Sequence, residues 1–131
     1  MSEAPRVRGI VVGHGGMAQG LIDAVRRIAG SAADALVPLS NEGMSPAELQ
    51  TALNEIAGTG PTIVFADLIS GSCAMAAMVS CRGSDCRSVV CGVNLPILLD
   101  FVFHQDMPMS ELVPRLVGKG RDGIRALPET A

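Results

Sequence analysis

A chain of 131 residues, 48% hydrophobic and only 18% charged, is too apolar for disorder and long enough to bury roughly two-thirds of its unfolded surface without staples or metals. Its net charge of -3 gives no electrostatic hold on nucleic acid, and three Phe with no Trp or Tyr leave no stacking platform for single strands or sugar rings. No apolar run reaches the roughly 18 residues of a membrane span and MSEAPRVRG lacks the apolar stretch of a signal peptide, so a cytoplasmic chain without membrane insertion is expected.

Apolar runs alternate with helical patterns along the whole length, which predicts one α/β domain over residues 1–131, a parallel sheet covered by helices. The first strand is expected at Val7–Val12, where Ile10, Val11 and Val12 read as a strand buried on both faces. After a glycine-rich turn, Ala18, Leu21, Ile22, Val25, Ile28 and Ala29 recur at helical spacing over Met17–Ile28, and Gly30 stops the helix. A short strand follows at Ala35–Leu39. Ser45, Pro46 and Glu48 then form the clearest capping box in the chain and open a helix running to Ala57. Thr62–Ala66 is the third strand and ends in Asp67. Ser70-Gly71-Ser72 reads as a turn, Ala74–Cys81 as a tightly packed helix of small residues, and Ser88–Cys91 as the fourth strand. Gly92–Pro96 turns into a helix carrying Ile97, Leu98, Phe101 and Val102. The last helix is expected over Met109–Ala126, capped by Ser110, with Leu112, Leu116 and Ile124 in the core, and the five residues at each terminus are expected to fray.

His14 is the leading candidate for chemistry. It emerges past the carboxyl end of a buried strand, where open α/β sheets keep their sites, and the flanking glycines leave its approaches free. Amides of the turn at Gly15 and of the following helix start can face an anion, which suits an imidazole that handles phosphate. Asp67 ends a strand in the same way. If the first and third strands are neighbours, Asp67 can accept a hydrogen bond from one ring nitrogen, fix the tautomer and leave the other nitrogen as a nucleophile. Otherwise Asp67 is an end-of-strand cap. The Ser70–Ser72 turn is either a phosphate cradle through Gly71 and Ser72 or an ordinary serine cap; no Gly-Lys-Ser or Gly-Lys-Thr of a P-loop occurs. His104 reads as a capping or surface residue, and Cys73 as core or an activated helix-start thiol. Cys81, Cys86 and Cys91 match no common zinc spacing, so neither a metal site nor a cofactor is expected and reduced thiols are the default.

Three segments, IVVGHGGMAQGLIDA, VFADLISGS and CGVNLPILLDF, resemble the signature segments of the mannose-family enzyme IIA component of the bacterial phosphotransferase system. The resemblance runs across nearly the whole chain, and Gly92–Pro96 carries its most distinctive motif. It implies a three-layer αβα sandwich around a mostly parallel sheet of strand order 2-1-3-4, with room for an extra edge strand or a dimer-exchanged C-terminal segment, in a homodimer. It also implies a phosphocarrier: phospho-HPr phosphorylates His14, and His14 passes the phosphoryl group to a IIB partner. By matching position, Asp67 orients His14, Ser72 contacts phosphate, and Asn94 and Leu95 face the partner. The pattern departs at the turn, where Ser70 stands for the first Gly and Cys73 for the Pro of Gly-Gly-Ser-Pro.

Three rival readings remain at this level. The phosphocarrier subunit of dihydroxyacetone kinases is similar around its histidine, and its Asp-Leu-Gly-Ser turn is echoed by Asp67-Leu68 and Gly71-Ser72. A non-catalytic regulatory module could bind a partner through the same face. A hydrolase would use Ser72 or Cys73 as nucleophile and His14 as base, but Cys73 and Ala74 break the G-x-S-x-G elbow that it needs.

Overall fold

The computed structural model describes residues 6–129. In chain order it comprises β1 (Arg8–Gly13), α1 (Met17–Ala29), a 3-10 segment (Gly30–Ala35), β2 (Leu36–Ser40), α2 (Pro46–Ala57), β3 (Thr62–Ala66), α3 (Ser72–Cys81), β4 (Arg87–Cys91), α4 (Leu95–Val102) and α5 (Met109–Asp122). The four strands form one sheet in the order β2-β1-β3-β4, with every pairing parallel. The chain is thus α/β, a three-layer sandwich, and no fifth strand occurs among the described residues.

β1 and β3 are central, and an uncharged apolar run suits them because each buries both faces. Val11, Ile63 and Phe65 face α1, α4 and α5. Ile10, Val12, Val64 and Ala66 face α2 and α3. On the first face Phe65 and Phe101 meet edge-on with ring centroids 5.2 Å apart, a geometry that adds about 0.5–1.5 kcal/mol beyond burial. Gly9 lies beneath this pair: a Cβ there would stand 2.8 Å from both Leu36 Cδ2 and Phe101 Cε2, so a bare backbone is what lets the rings settle on the sheet. On the second face Ala74, Ala76 and Ala77 are buried, and these small side chains bring α3 close to the strands.

The predicted capping box is present in full. Ser45 Oγ accepts the Glu48 N–H at 3.1 Å, and Glu48 Oε1 accepts the Ser45 N–H at 3.0 Å. Such caps contribute about 1 kcal/mol. Those hydrogen bonds also hold the Glu48 carboxyl below its ordinary value.

Four expectations need correction. A 3-10 segment fills the stretch between the helix stop at Gly30 and the expected strand, and takes Ala35, expected as the first residue of β2. α3 begins at Ser72, with Gly71 as its N-cap and no side-chain cap. Pro108 rather than Ser110 caps α5, because its extended backbone and fixed φ set up the first turn. α5 ends at Asp122, and Ile124 is 77% exposed instead of in the core. The predicted fraying of residues 1–5 and of 130–131 lies outside the described residues.

Candidate functional site

The chain leaves β1 through α1 on one face of the sheet and leaves β3 through α3 on the other. The carboxyl ends of these neighbouring strands therefore open onto a crevice between helices, the switch point of an open α/β sheet. His14 is the first residue past β1 and Asp67 the first past β3. Val12 pairs with Ala66, so Asp67 comes level with Gly13 and His14 stands one residue further on, where its ring reaches back to the Asp67 carboxylate.

His14 Nδ1 lies 2.6 Å from Asp67 Oδ2, which also accepts the His14 backbone N–H at 3.0 Å. Asp67 Oδ1 accepts the Leu68 N–H at 3.0 Å. The Asp67 side chain is 7% exposed and the imidazole 46%, so the pair has a buried root and an open tip. Burial alone pushes the Asp67 carboxyl up. The His14 ring and backbone N–H, the ring's charge and the Leu68 N–H outweigh it and hold the carboxyl below its ordinary value. An ionised carboxylate only accepts hydrogen bonds, so Nδ1 carries a proton, and in the neutral ring the lone pair is the one on Nε2. No hydrogen-bond partner of Nε2 occurs among the described residues, and no buried side-chain nitrogen or oxygen there lacks a partner, so Nε2 reaches solvent.

The turn before α3 closes the other side of the ring. Gly71 has φ +95°, a backbone shape that L side chains rarely adopt, and a Cβ there would stand 3.8 Å from His14 Cε1. Ser72 is the first helical residue, and with no side-chain cap the amides of that first turn stay free for an anion. Gly15 has φ +57°, and its N–H donates to Asn41 Oδ1 at 3.4 Å. Asn94 opens α4: its Oδ1 accepts the Ile97 N–H at 3.1 Å and its Nδ2 donates to the Gly120 carbonyl at 2.9 Å. Its carboxamide is thus used inside the fold, tying α4 to α5, and Leu95 is half-buried against the same core. The turn they belong to starts beside Asp67, since the Val93 N–H donates to the Ala66 carbonyl at 3.0 Å.

The structure brings to the site one residue that the sequence left open between a core thiol and an activated helix-start thiol. Cys73 is fully buried, with Sγ 3.7 Å from His14 Nδ1. Burial first, then the Asp67 charge, push this thiol up, partly offset by a Ser72 hydrogen bond, so it is protonated at neutral pH. That geometry is the reverse of what a thiol hydrolase needs: the ring nitrogen beside Sγ already carries the proton shared with Asp67. The available signal was Cys73 falling in the first turn of the helix that follows Asp67. His104, at the end of α4, hydrogen-bonds through Nδ1 to the Asp100 carbonyl at 2.7 Å, as a local capping role predicts.

No helix among the described residues is long and apolar enough to cross a membrane. The model of a protein family described as "PTS system fructose IIA component" matches residues 9–117. No curated protein matches the chain. Among solved structures, the chain is similar to the mannose/sorbose-specific IIA subunit of the phosphotransferase system from Enterococcus faecalis, with TM-score 0.83 and 29% identity over 96% of this chain and 99% of that one. It is also similar to the phosphotransferase system component EIIA from Streptococcus agalactiae, with TM-score 0.83 and 24% identity over 92% and 96% of the two chains. The fold extends to a sigma-54 interaction domain protein from Enterococcus faecalis, with TM-score 0.67 and 12% identity over 95% and 100% of the chains.

Proposed function

The chain belongs to the fructose/mannose IIA family of the phosphotransferase system, whose role is that of a phosphocarrier, and on that premise we propose that it accepts a phosphoryl group from phospho-HPr on His14 and passes it to a IIB partner. One observation carries this reading: Asp67 holds Nδ1 at 2.6 Å and leaves the Nε2 lone pair facing solvent. In the step, the Nε2 lone pair attacks phosphorus in line while the nitrogen–phosphorus bond of the donor breaks and its electron pair returns to the donor's imidazole. The ring of His14 gains positive charge as the bond forms, and the Asp67 carboxylate, already in contact with Nδ1–H, stabilises that charge without reorganising. Free amides at the start of α3, from Ser72 onward, are the donors available to the phosphoryl oxygens.

The surroundings suit a donor and an acceptor that are proteins. Met17, Leu68, Ile69 and Met75 are exposed by 39%, 54%, 81% and 55%, and each lies within a few residues of His14, Asp67 or Gly71. An apolar rim around a polar centre is the usual anatomy of a protein contact surface.

Incubation with enzyme I, HPr and phosphoenolpyruvate, followed by intact-protein mass measurement, tests the proposal. The expected result is a gain of one phosphoryl group in the wild type and none in His14→Ala; full phosphorylation of that variant removes His14 from the reaction. Omitting HPr is expected to abolish the gain, and adding a IIB partner is expected to discharge it.

A further inference from the structure

We propose that His14, Asp67 and Cys73 form a three-ligand site for a thiophilic divalent cation of the zinc class, and that filling this site silences His14 as a phosphoryl acceptor. The silencing rests on the phosphocarrier reading, whereas the binding stands without it. The three residues come from the end of β1, the end of β3 and the first turn of α3, and their ligand atoms all lie within 4.8 Å of one another. Zinc bonds of about 2.0 Å to nitrogen or oxygen and about 2.3 Å to sulfur, at tetrahedral angles, place ligand atoms roughly 3.3–3.5 Å apart. The Sγ–Nδ1 separation of 3.7 Å is already close to that spacing. The Nδ1–Oδ2 separation is 2.6 Å because a proton now joins the two atoms. Replacing that proton by a cation opens the gap by about 0.7 Å, a small swing for a half-exposed ring.

The donor set also selects the cation. One thiolate, one imidazole and one carboxylate are softer than the all-oxygen shells of magnesium or calcium, and their two negative charges balance a divalent ion. Water completes the fourth position. The turn pattern that this chain resembles has proline where Cys73 stands, and proline offers no ligand, so the site depends on this chain's own departure.

The proton balance gives the consequence. When the cation takes Nδ1, the ring's proton moves to Nε2, and the Cys73 thiol loses its proton to solvent, a net release of one proton per cation. Nε2–H has no lone pair with which to attack phosphorus. A cation bound in this way therefore removes the nucleophile from the buried side of the ring.

Calorimetric titration of the metal-free full chain with zinc chloride, under a non-coordinating reductant and in two buffers of different ionisation heat, measures both stoichiometry and proton release. One cation and about one proton are expected. The cobalt(II) adduct is expected to show a thiolate-to-metal charge-transfer band. Loss of a mere outer partner weakens a metal site about 10–100-fold, so Cys73→Ser and Cys73→Ala, checked for native circular dichroism, are expected to weaken binding by about 100-fold or more and to lose the band. Equal affinity of wild type and Cys73→Ser, or a cobalt adduct without the band, overturns the site. Phosphorylation by desalted phospho-HPr is then followed with and without one equivalent of zinc, each protein being compared with its own metal-free rate. Zinc is expected to stop the wild type and not Cys73→Ser; equal inhibition of the two overturns the silencing. If the metal-free wild type takes no phosphate at all, the phosphocarrier reading fails and the titration still decides the site.

Discussion

His14 with Asp67, and His104 with Asp100, put the same two side-chain types in contact at opposite ends of β1. In the first pair the residues are 53 positions apart and meet only because β1 and β3 are neighbours. In the second they are four apart at the end of α4, and Nδ1 is spent on the Asp100 backbone carbonyl. The carboxylates differ more than the rings. Asp67 Oδ2 and Oδ1 accept neutral amides besides the imidazole. Asp100 is gripped by the Arg115 guanidinium, with Nε 2.8 Å from Oδ2 and Nη2 3.0 Å from Oδ1. A carboxylate whose only cationic neighbour among the described residues is the histidine keeps its charge in reserve for that ring. One already neutralised by arginine is a structural clamp.

The largest test of this contrast is His14→Ala, which is expected to abolish phosphoryl acceptance, while His104→Gln in the same assay is expected to retain it. Next, Asp67→Asn keeps a hydrogen-bonding group but loses the charge and the fixed tautomer. Acceptance is expected to slow about 100-fold, measured as the initial rate of mass gain. If the slowing is negligible, the reserve charge of Asp67 does no chemical work and the contrast collapses.

Asp100→Asn should act on stability instead. Breaking a two-bond ion pair with a 12% exposed carboxylate is expected to cost about 1–3 kcal/mol in denaturant unfolding, with phosphoryl acceptance unchanged. The same variant sharpens the pH dependence. Burial pushes the Asp100 carboxyl up, but the Arg115 hydrogen bonds and the nearby His104, Arg115 and Lys119 charges hold it below its ordinary value. Its folded-state pKa is therefore lower than its unfolded one. The stabilisation is present above about pH 4 and is lost as pH falls through the lowered value. The acid limb of the wild-type stability curve is expected to flatten in Asp100→Asn. The smallest effect belongs to His104→Gln, which is expected to shift unfolding by no more than about 0.5 kcal/mol, since its ring makes one local bond near the surface.

The pair at the strand ends, His14 with Asp67, was also the more legible of the two. Apolar runs marked β1 and β3 because both strands bury both faces, and a histidine or an aspartate directly after such a run has few places to go. The Ser45–Glu48 box was legible for a similar reason, since cap chemistry is local. Cys73 was not, because its approach to His14 depends on how closely the alanines let α3 lie against the sheet and on the backbone shape at Gly71. Asn94 was legible as a motif but not as a cap that also reaches Gly120, a contact across 26 positions. The end of α5 was misplaced because Ile124 continues an apolar rhythm, while the chain has already left the helix after Asp122.

The pairing of Val12 with Ala66 carries a consequence for how such a chain can vary in length. One strand residue spans about 3.3 Å, more than a hydrogen bond tolerates. A single inserted residue in β1 or β3 would slide His14 past Asp67, and would also turn the following side chains to the wrong face of the sheet. Insertions and deletions are therefore barred from the two central strands by chemistry as well as by packing. The Gly83–Asp85 link between α3 and β4, at the far edge of the sheet, can lengthen or shorten without moving either partner. The part of the chain with the plainest composition is thus the part whose residue count is held most tightly.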